Sequence, residues 1–558
     1  MRKTLQSFVT ATATVVVAAA LGGCGTDNKN GAVVAERVSP SSCFATTCHA
    51  GQTDPVSGQV IRTQVEQSLH YRLSQNTADC QGCHGGGSMH FGVGPLPYAN
   101  PAEFGGGCFT CHQENAPLDA AHYTTAKPGV DEASPASYVT PNVDCTFCHS
   151  AHSPVSTQIH EDWAEGHGNV NALAFAEESF GIDSRAACSR CHTTTGYIRF
   201  ANSEFETAPT TGFAAAGDMT REVIACKACH STSEFSANNL RPADAFTASY
   251  KYNGARVEYV DSGASNLCIP CHSGRESGDS VTSITNFTNA SFKNPHYFPA
   301  AAMLFSKSGF RYYTSNAKYQ STNSHSQIGI GNYNGTGTNG ACVACHLGPV
   351  GNSTHTFDPF EVADLTNGAG GCYGCHTPAL GEPTILEENE HQKAIFARFL
   401  DFYKYELAQK GIFYGSAHPY FYTADGGTTA IKNWTTVGPT GGTGAKNMGA
   451  AFNYKFVAAE GGAHAHNRTF AKRLITDAIQ YLQTGSNTYS FSSANNLAGG
   501  TNGQADPNSI ISFSAYSTSK PTFTFTDPKS GVATDVSISS LKSELLRYRS
   551  VPNQWYRR

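Results

Sequence analysis

The chain has 558 residues, enough for two to four domains. Only 14% of them are charged, against about a quarter in typical soluble domains, and glycine is abundant with 55 copies. The formal charge of −6 gives no reason to expect nucleic acid as a partner, since such binders carry basic patches.

Residues 1–23 read as an export signal. Arg2 and Lys3 are followed by an apolar run from Thr12 to Leu21, too short to span a bilayer. Leu21-Gly22-Gly23-Cys24 resembles a bacterial lipobox, in which Cys24 is acylated and anchors the chain to a membrane; a plain secretory signal is the alternative. Gly25 after it, in place of Asp, implies by the same resemblance the outer rather than the inner membrane. Residues 24–41 read as a polar tether.

A cysteine pair separated by two residues and followed by histidine then recurs eight times. The copies are Cys80, Cys83 and His84; Cys108, Cys111 and His112; Cys145, Cys148 and His149; Cys188, Cys191 and His192; Cys226, Cys229 and His230; Cys268, Cys271 and His272; Cys342, Cys345 and His346; and Cys372, Cys375 and His376. C-x-x-C-H is the attachment sequence of c-type haem: both thiols add to the haem vinyl groups and the histidine binds iron from the proximal face. An exported chain rich in cysteine also invites a disulfide framework, but eight copies consume sixteen of the nineteen cysteines and Cys24 takes another. The last two, Cys43 and Cys48, also precede a histidine, His49. Two extra residues can bulge without moving either thiol from its vinyl group. The nine-haem reading takes this as the first site, with a Cys43–Cys48 disulfide as the alternative.

Nine of the 22 histidines lie in these motifs, and nine more lie among them: His70, His90, His122, His152, His160, His167, His296, His325 and His355. These are the candidates for the nine distal iron positions. Methionine, the other common distal ligand, numbers five with Met1, so bis-histidine ligation is expected throughout, with lower potentials than His/Met pairs give. No spare histidine lies between His167 and His296, although three motifs do. Their distal ligands must come from elsewhere, which folds the region across itself. Of the remaining four, His391 and His418 read as surface or structural residues, while His464 and His466 are the replacements if one of the nine fails.

The motifs are spaced by 28 to 43 residues between second cysteines, apart from one step of 74. This is too irregular for a solenoid. So little chain per macrocycle leaves the haems as the core, and cofactor binding should be folding free energy. The long step is expected to hold a short helix and a loop presenting His296 and His325. After His376 there is no cysteine. Helices are expected over 387–410, burying Ile395, Phe399, Phe402 and Tyr403, and over 468–484, burying Leu474, Ile475, Ala478, Ile479 and Leu482. SIISFSAYS and PTFTFTD suggest exposed strands, and a last helix is expected from Leu541. The domain reading is a signal at 1–23, a tether at 24–41, a nonahaem domain at 42–385 and a haem-free α/β module at 386–558.

Lipobox, haem motifs, loop-rich core and haem-free tail together resemble the outer-surface multihaem c-type cytochromes of metal-reducing bacteria. CIPCHSGRESG, NPHYFPAAAMLF and GGAHAHNRTFAKRLITDAIQYL look like stretches found in that group, and the resemblance covers most of residues 43–484. It implies a fold of loops and short α-helices wrapped around a stacked haem array. It also implies extracellular electron transfer, from a periplasmic or trans-outer-membrane donor to a metal oxide, another cytochrome or an electrode. The partners implied are other multihaem cytochromes or an outer-membrane porin–cytochrome conduit. Two alternatives remain. One is a multihaem oxidoreductase reducing a small nitrogen or sulfur oxyanion at one open iron, against which every motif ends in histidine. The other is a subunit of a cytochrome filament.

Overall fold

The computed structural model describes residues 183–206, 208–212, 224–231, 240–312, 325–330, 340–348, 354–360, 372, 376, 384–485, 511–528, 530–546, 549–551 and 554–556, with residues 51, 60, 62, 63, 159, 162, 163 and 180 before them. The expectations for Cys24, the motifs at Cys43 to His49, Cys80 to His84, Cys108 to His112 and Cys145 to His149, Cys375, and the candidates His70, His90, His122, His152, His160 and His167 lie outside the described residues. No helix among the described residues is long and apolar enough to cross a membrane. The described residues are loop-rich, with short helices, four two-stranded antiparallel sheets and a few long helices towards the C-terminal end.

Two compact units are present, Met1–Pro242 with Ser353–Asp358, and Ala243–Asn352 with Pro359–Arg558. In the first, the helices Ala186–His192 and Thr194–Ala201 are joined through Thr193, whose hydroxyl accepts from Gly196 N at 3.0 Å. A Cβ at Gly196 would stand 2.4 Å from Ser189, so only glycine lets the second helix pass this close. The hydroxyl of Thr194 accepts from Ala225 N at 2.8 Å and so ties the Cys226 motif to this pair.

In the second unit three long helices supply most of the core. Ile385–Ala408 starts with a capping box: Thr384 Oγ1 accepts from Glu387 N (3.2 Å) and Glu387 Oε2 from Thr384 N (2.8 Å), which satisfies two donors that a helix start leaves open. It ends where Gly411 turns left-handed at φ +73°. The expected 387–410 is thus shifted by two residues, and Ile395, Phe399, Phe402 and Tyr403 are all fully buried. Arg468–Thr484 matches its expected range, is capped by Asn467 and closed by left-handed Gly485, and fully buries its five expected apolar residues. The third helix, Gly444–Glu460, is apolar around most of its circumference and buried on nearly all sides. It carries no stripe that a periodicity reading would find.

The core does not stop at residue 385. Val281, Ala302, Met303, Phe310 and Tyr312, from the span between the Cys268 and Cys342 motifs, are buried in one cluster with these helices. That span holds the short helices Gly278–Thr282 and Ala300–Leu304, with His296 in the loop before the second. Two expectations for the tail are corrected. SIISFSAYS does not form a strand: Ser514–Ser519 is helical, and Phe513 and Tyr516 pack on Phe402 with ring centres 4.7 and 4.8 Å away. The last helix is Ile538–Leu546, followed by a hairpin of Arg549–Val551 and Gln554–Tyr556. PTFTFTD does contain a strand, Thr524–Thr526, paired with Ala533–Asp535.

Candidate haem sites

The motifs at Cys188, Cys226, Cys268 and Cys342 ride on short helical turns. His230 N donates to Cys226 O (3.0 Å), His272 N to Cys268 O (3.1 Å) and His376 N to Cys372 O (2.9 Å). A turn closed from i+4 to i brings residues i, i+3 and i+4 to one face, which is where two thiols and an imidazole must stand to hold one macrocycle. The turns are held by their surroundings. Arg241 reaches Ala228 O (3.0 Å) and Lys227 O (2.9 Å), satisfying carbonyls that the short Cys226–Cys229 helix leaves open. Ser265 Oγ, one turn before Cys268, accepts from Val343 N, next to Cys342, at 3.0 Å. The Cys268 and Cys342 motifs therefore lie side by side.

Three motif histidines face a second histidine. Ring centres are 6.4 Å apart for His230 and His355, 6.1 Å for His325 and His376, and 6.1 Å for His346 and His466. Two imidazoles on opposite sides of one iron have ring centres about 6 Å apart, taking roughly 2.0 Å for each metal–nitrogen bond and about 1.1 Å from nitrogen to ring centre. The donor set and its spacing fit a haem iron. The sequence candidates His325 and His355 are brought to motif histidines in this way. His296 stands in the left-handed region at φ +78°, its N–H on Asn294 Oδ1 at 3.0 Å, with its ring against Tyr297.

The hydrogen bonds select which nitrogen is left for metal. Nδ1 of His325 bonds Ala465 O (2.6 Å), Nδ1 of His272 bonds Phe298 O (3.0 Å), and Nδ1 of His466 bonds Glu460 Oε1. Fixing Nδ1 in this way orients the ring and leaves Nε2 as donor, the usual outer-shell arrangement of metal-bound histidine. Burial lowers the pKa of His272 and of His325, more than the hydrogen bond to each raises it; both are held neutral, as a ligand must be. For His466 burial also acts downward, but the charge and hydrogen bond of Glu460, with a smaller contribution from Cys342, outweigh it and the net shift is up. His464 differs. Its Nε2 is taken by Asn389 Oδ1 at 2.9 Å, and burial pushes it down to about 3, so it is a core residue. His391 and His418 are exposed.

His466 is the residue that the sequence ranked only as a replacement. A histidine just before a helix start gives no sign of which nitrogen is free, and Glu460 is six positions away. The remaining described proximal histidine, His192, has its ring face covered by Phe180, with centres 4.4 Å apart.

No protein-family model matches the chain, and no solved structure matches it. Among curated proteins, it is 25% identical to the C-type polyheme cytochrome OmcB of Geobacter sulfurreducens (strains DL-1/KN400 and PCA), over an alignment of 725 positions covering 87% of this chain and 95% of the relative. It is likewise 25% identical to the C-type polyheme cytochrome OmcC of the PCA strain, with the same coverage of each chain. Over most of its length, and in its repeated C-x-x-C-H motifs, the chain is similar to multihaem c-type cytochromes.

Proposed function

We propose that the protein carries electrons through nine covalently bound c-type haems, each with two axial histidines, from a periplasmic or trans-outer-membrane donor to an acceptor outside the cell. Electron transfer by a multihaem cytochrome follows from the family. The haem count rests on the nine motifs. Bis-histidine ligation is supported by the single most telling observation, the axial spacing of three histidine pairs. The export signal and lipobox support an outer-membrane lipoprotein. Its acceptor would be a metal oxide, an electrode or a partner cytochrome, the last within a porin–cytochrome conduit.

The bound haems supply the redox chemistry. The chain's own part is positioning and tuning. Cysteine pairs on single helical turns fix where each macrocycle attaches, and backbone carbonyls on Nδ1 fix the ligand tautomer. The adjoining Cys268 and Cys342 turns set two attachment points side by side, as short electron steps require. The expected iron environment is closed, so no bond-making site is needed.

Haem counting by pyridine haemochrome, with EPR of the same oxidised sample, tests this. Nine haems, all low-spin, are expected. Eight would return Cys43 and Cys48 to a disulfide. A high-spin signal amounting to one haem would mean an open iron and would replace the conduit by the oxyanion reductase.

A further inference from the structure

The single turn Ala463–His466 sits between two long helices of the cysteine-free region, yet it reaches two haem motifs. Its Ala465 carbonyl holds Nδ1 of His325 at 2.6 Å, whose ring faces His376. Its His466 ring faces His346, 6.1 Å away and tilted by 52°. The turn itself is rigid. His466 N bonds Gly462 O at 2.8 Å. Asn467 caps the following helix and donates to Ser306 Oγ (2.9 Å) and Leu304 O (3.3 Å), clamping the turn to the segment after Ala300–Leu304. A Cβ at Gly462 would stand 2.8 Å from Cε1 of His466, so glycine there gives the ring its room.

Glu460 completes the arrangement. It ends the Gly444–Glu460 helix at 3% exposure, and Oε1 takes Nδ1 of His466. Its Oε2 is buried with no hydrogen-bond partner among the described residues. A carboxylate is costly to bury unless a cation or a charge-assisted hydrogen bond compensates it. A histidine N–H polarised by a metal on the other nitrogen is such a partner.

We propose, on the bis-histidine reading above, that His466 is the distal axial ligand of the haem attached to Cys342 and Cys345, opposite His346, and that Glu460 is its positioning residue. The cysteine-free region then serves the haem array directly: one turn ligates one iron and orients the ligand of the next. It also means that ten distal candidates compete for nine irons, so one of the nine histidines among the motifs is not axial. The buried carboxylate on the ligand's Nδ1 raises its basicity and favours the oxidised iron, which makes this haem one of the lower-potential members of the set.

The test uses the full haem-loaded protein. Wild type is measured first: a high-spin component there would defeat the bis-histidine reading itself, before any variant is read. With wild type all low-spin, His466→Ala should keep its haem count but convert one haem to high spin, and added imidazole should restore it. His464→Ala, in the core beside it, should leave every haem low-spin. His466→Met guards against misfolding of the alanine variant, because it keeps a ligand: one component of the redox titration should move up while the others stay. Glu460→Gln should stay fully low-spin and also raise one component. An all-low-spin His466→Ala with full haem count, or a His466→Met titration identical to wild type, overturns the proposal.

Discussion

Asn453 and the backbone of Phe310, 143 residues apart, are joined by two hydrogen bonds: Phe310 N donates to Asn453 Oδ1 at 2.6 Å, and Asn453 Nδ2 donates to Phe310 O at 3.0 Å. Both residues are buried. The amide side chain thus reads a bare backbone segment as a neighbouring strand would, and it locks the span between two haem motifs onto the Gly444–Glu460 helix. Asn453→Leu leaves a buried N–H and a buried C=O unsatisfied, each worth about 1–3 kcal/mol. A loss of roughly 2–4 kcal/mol is expected, seen as a lower midpoint in denaturant unfolding of the haem-loaded protein. Asn453→Asp, which keeps the acceptor, should lose less if it is protonated on burial.

Gly449, one turn earlier on that helix, sets propensity against packing. Alanine in a helix interior is favoured over glycine by about 1 kcal/mol. Here the added Cβ would meet the Phe310 ring at 2.4 Å, and overpacking of that kind costs about 1–3 kcal/mol. Packing should win, so Gly449→Ala is expected to be destabilising by thermal melting; an alanine variant as stable as wild type would mean that Phe310 can shift.

Lys455 gives the pH dependence. Its ammonium lies 4.2 Å from the ring centres of both Tyr297 and Tyr420, whose hydroxyls bond each other at 2.9 Å, and burial lowers its pKa to about 8. The unfolded lysine titrates near 10.4, so between those values the unfolded chain binds a proton that the folded chain lacks, and stability rises with pH. The tyrosine faces favour the charged form and shrink the effect to something on the order of 1 kcal/mol. Above about pH 10 the buried tyrosines Tyr403 and Tyr454, whose pKa values burial raises, act in the opposite sense. Unfolding measured against pH for wild type and Lys455→Met isolates the lysine: the difference should grow in favour of wild type from pH 8 to 10 and be flat below.

What could be read beforehand follows from where the information is local. Ile395 to Tyr403 and Leu474 to Leu482 each form a stripe within nine residues, so those helices were legible, while the capping box of Thr384 and Glu387 sets the first one's start two residues before the expected 387. Gly444–Glu460 was not, because a helix buried on nearly all sides has no polar face to mark its period. SIISFSAYS alternates like a strand, but an alternating stretch with no partner edge can instead bury Phe513 and Tyr516 on Phe402, as it does. The haem motifs are contiguous and unmistakable. The histidines that face them among the described residues are not, since they come from distant chain: His466 faces His346, and His325 faces His376. Only the fold brings them together.

His355 offers the independent check on axial pairing in the other compact unit. Its ring faces His230 at 6.4 Å, and it is set by Asp162, whose Oδ2 accepts from Thr354 Oγ1 (3.1 Å) and from His355 N (3.3 Å). This carboxylate fixes the backbone that carries His355, not its ring. His355→Ala should therefore turn one haem high-spin, whereas Asp162→Asn should weaken the hold without opening the iron, leaving the spectrum low-spin and lowering the thermal midpoint. Because His355 faces His230 and His466 faces His346, in two different motifs, the proposed pairing predicts that the double variant His355→Ala with His466→Ala shows twice the high-spin signal of either alone. A signal no larger than one haem's would mean that the two histidines do not act at separate irons.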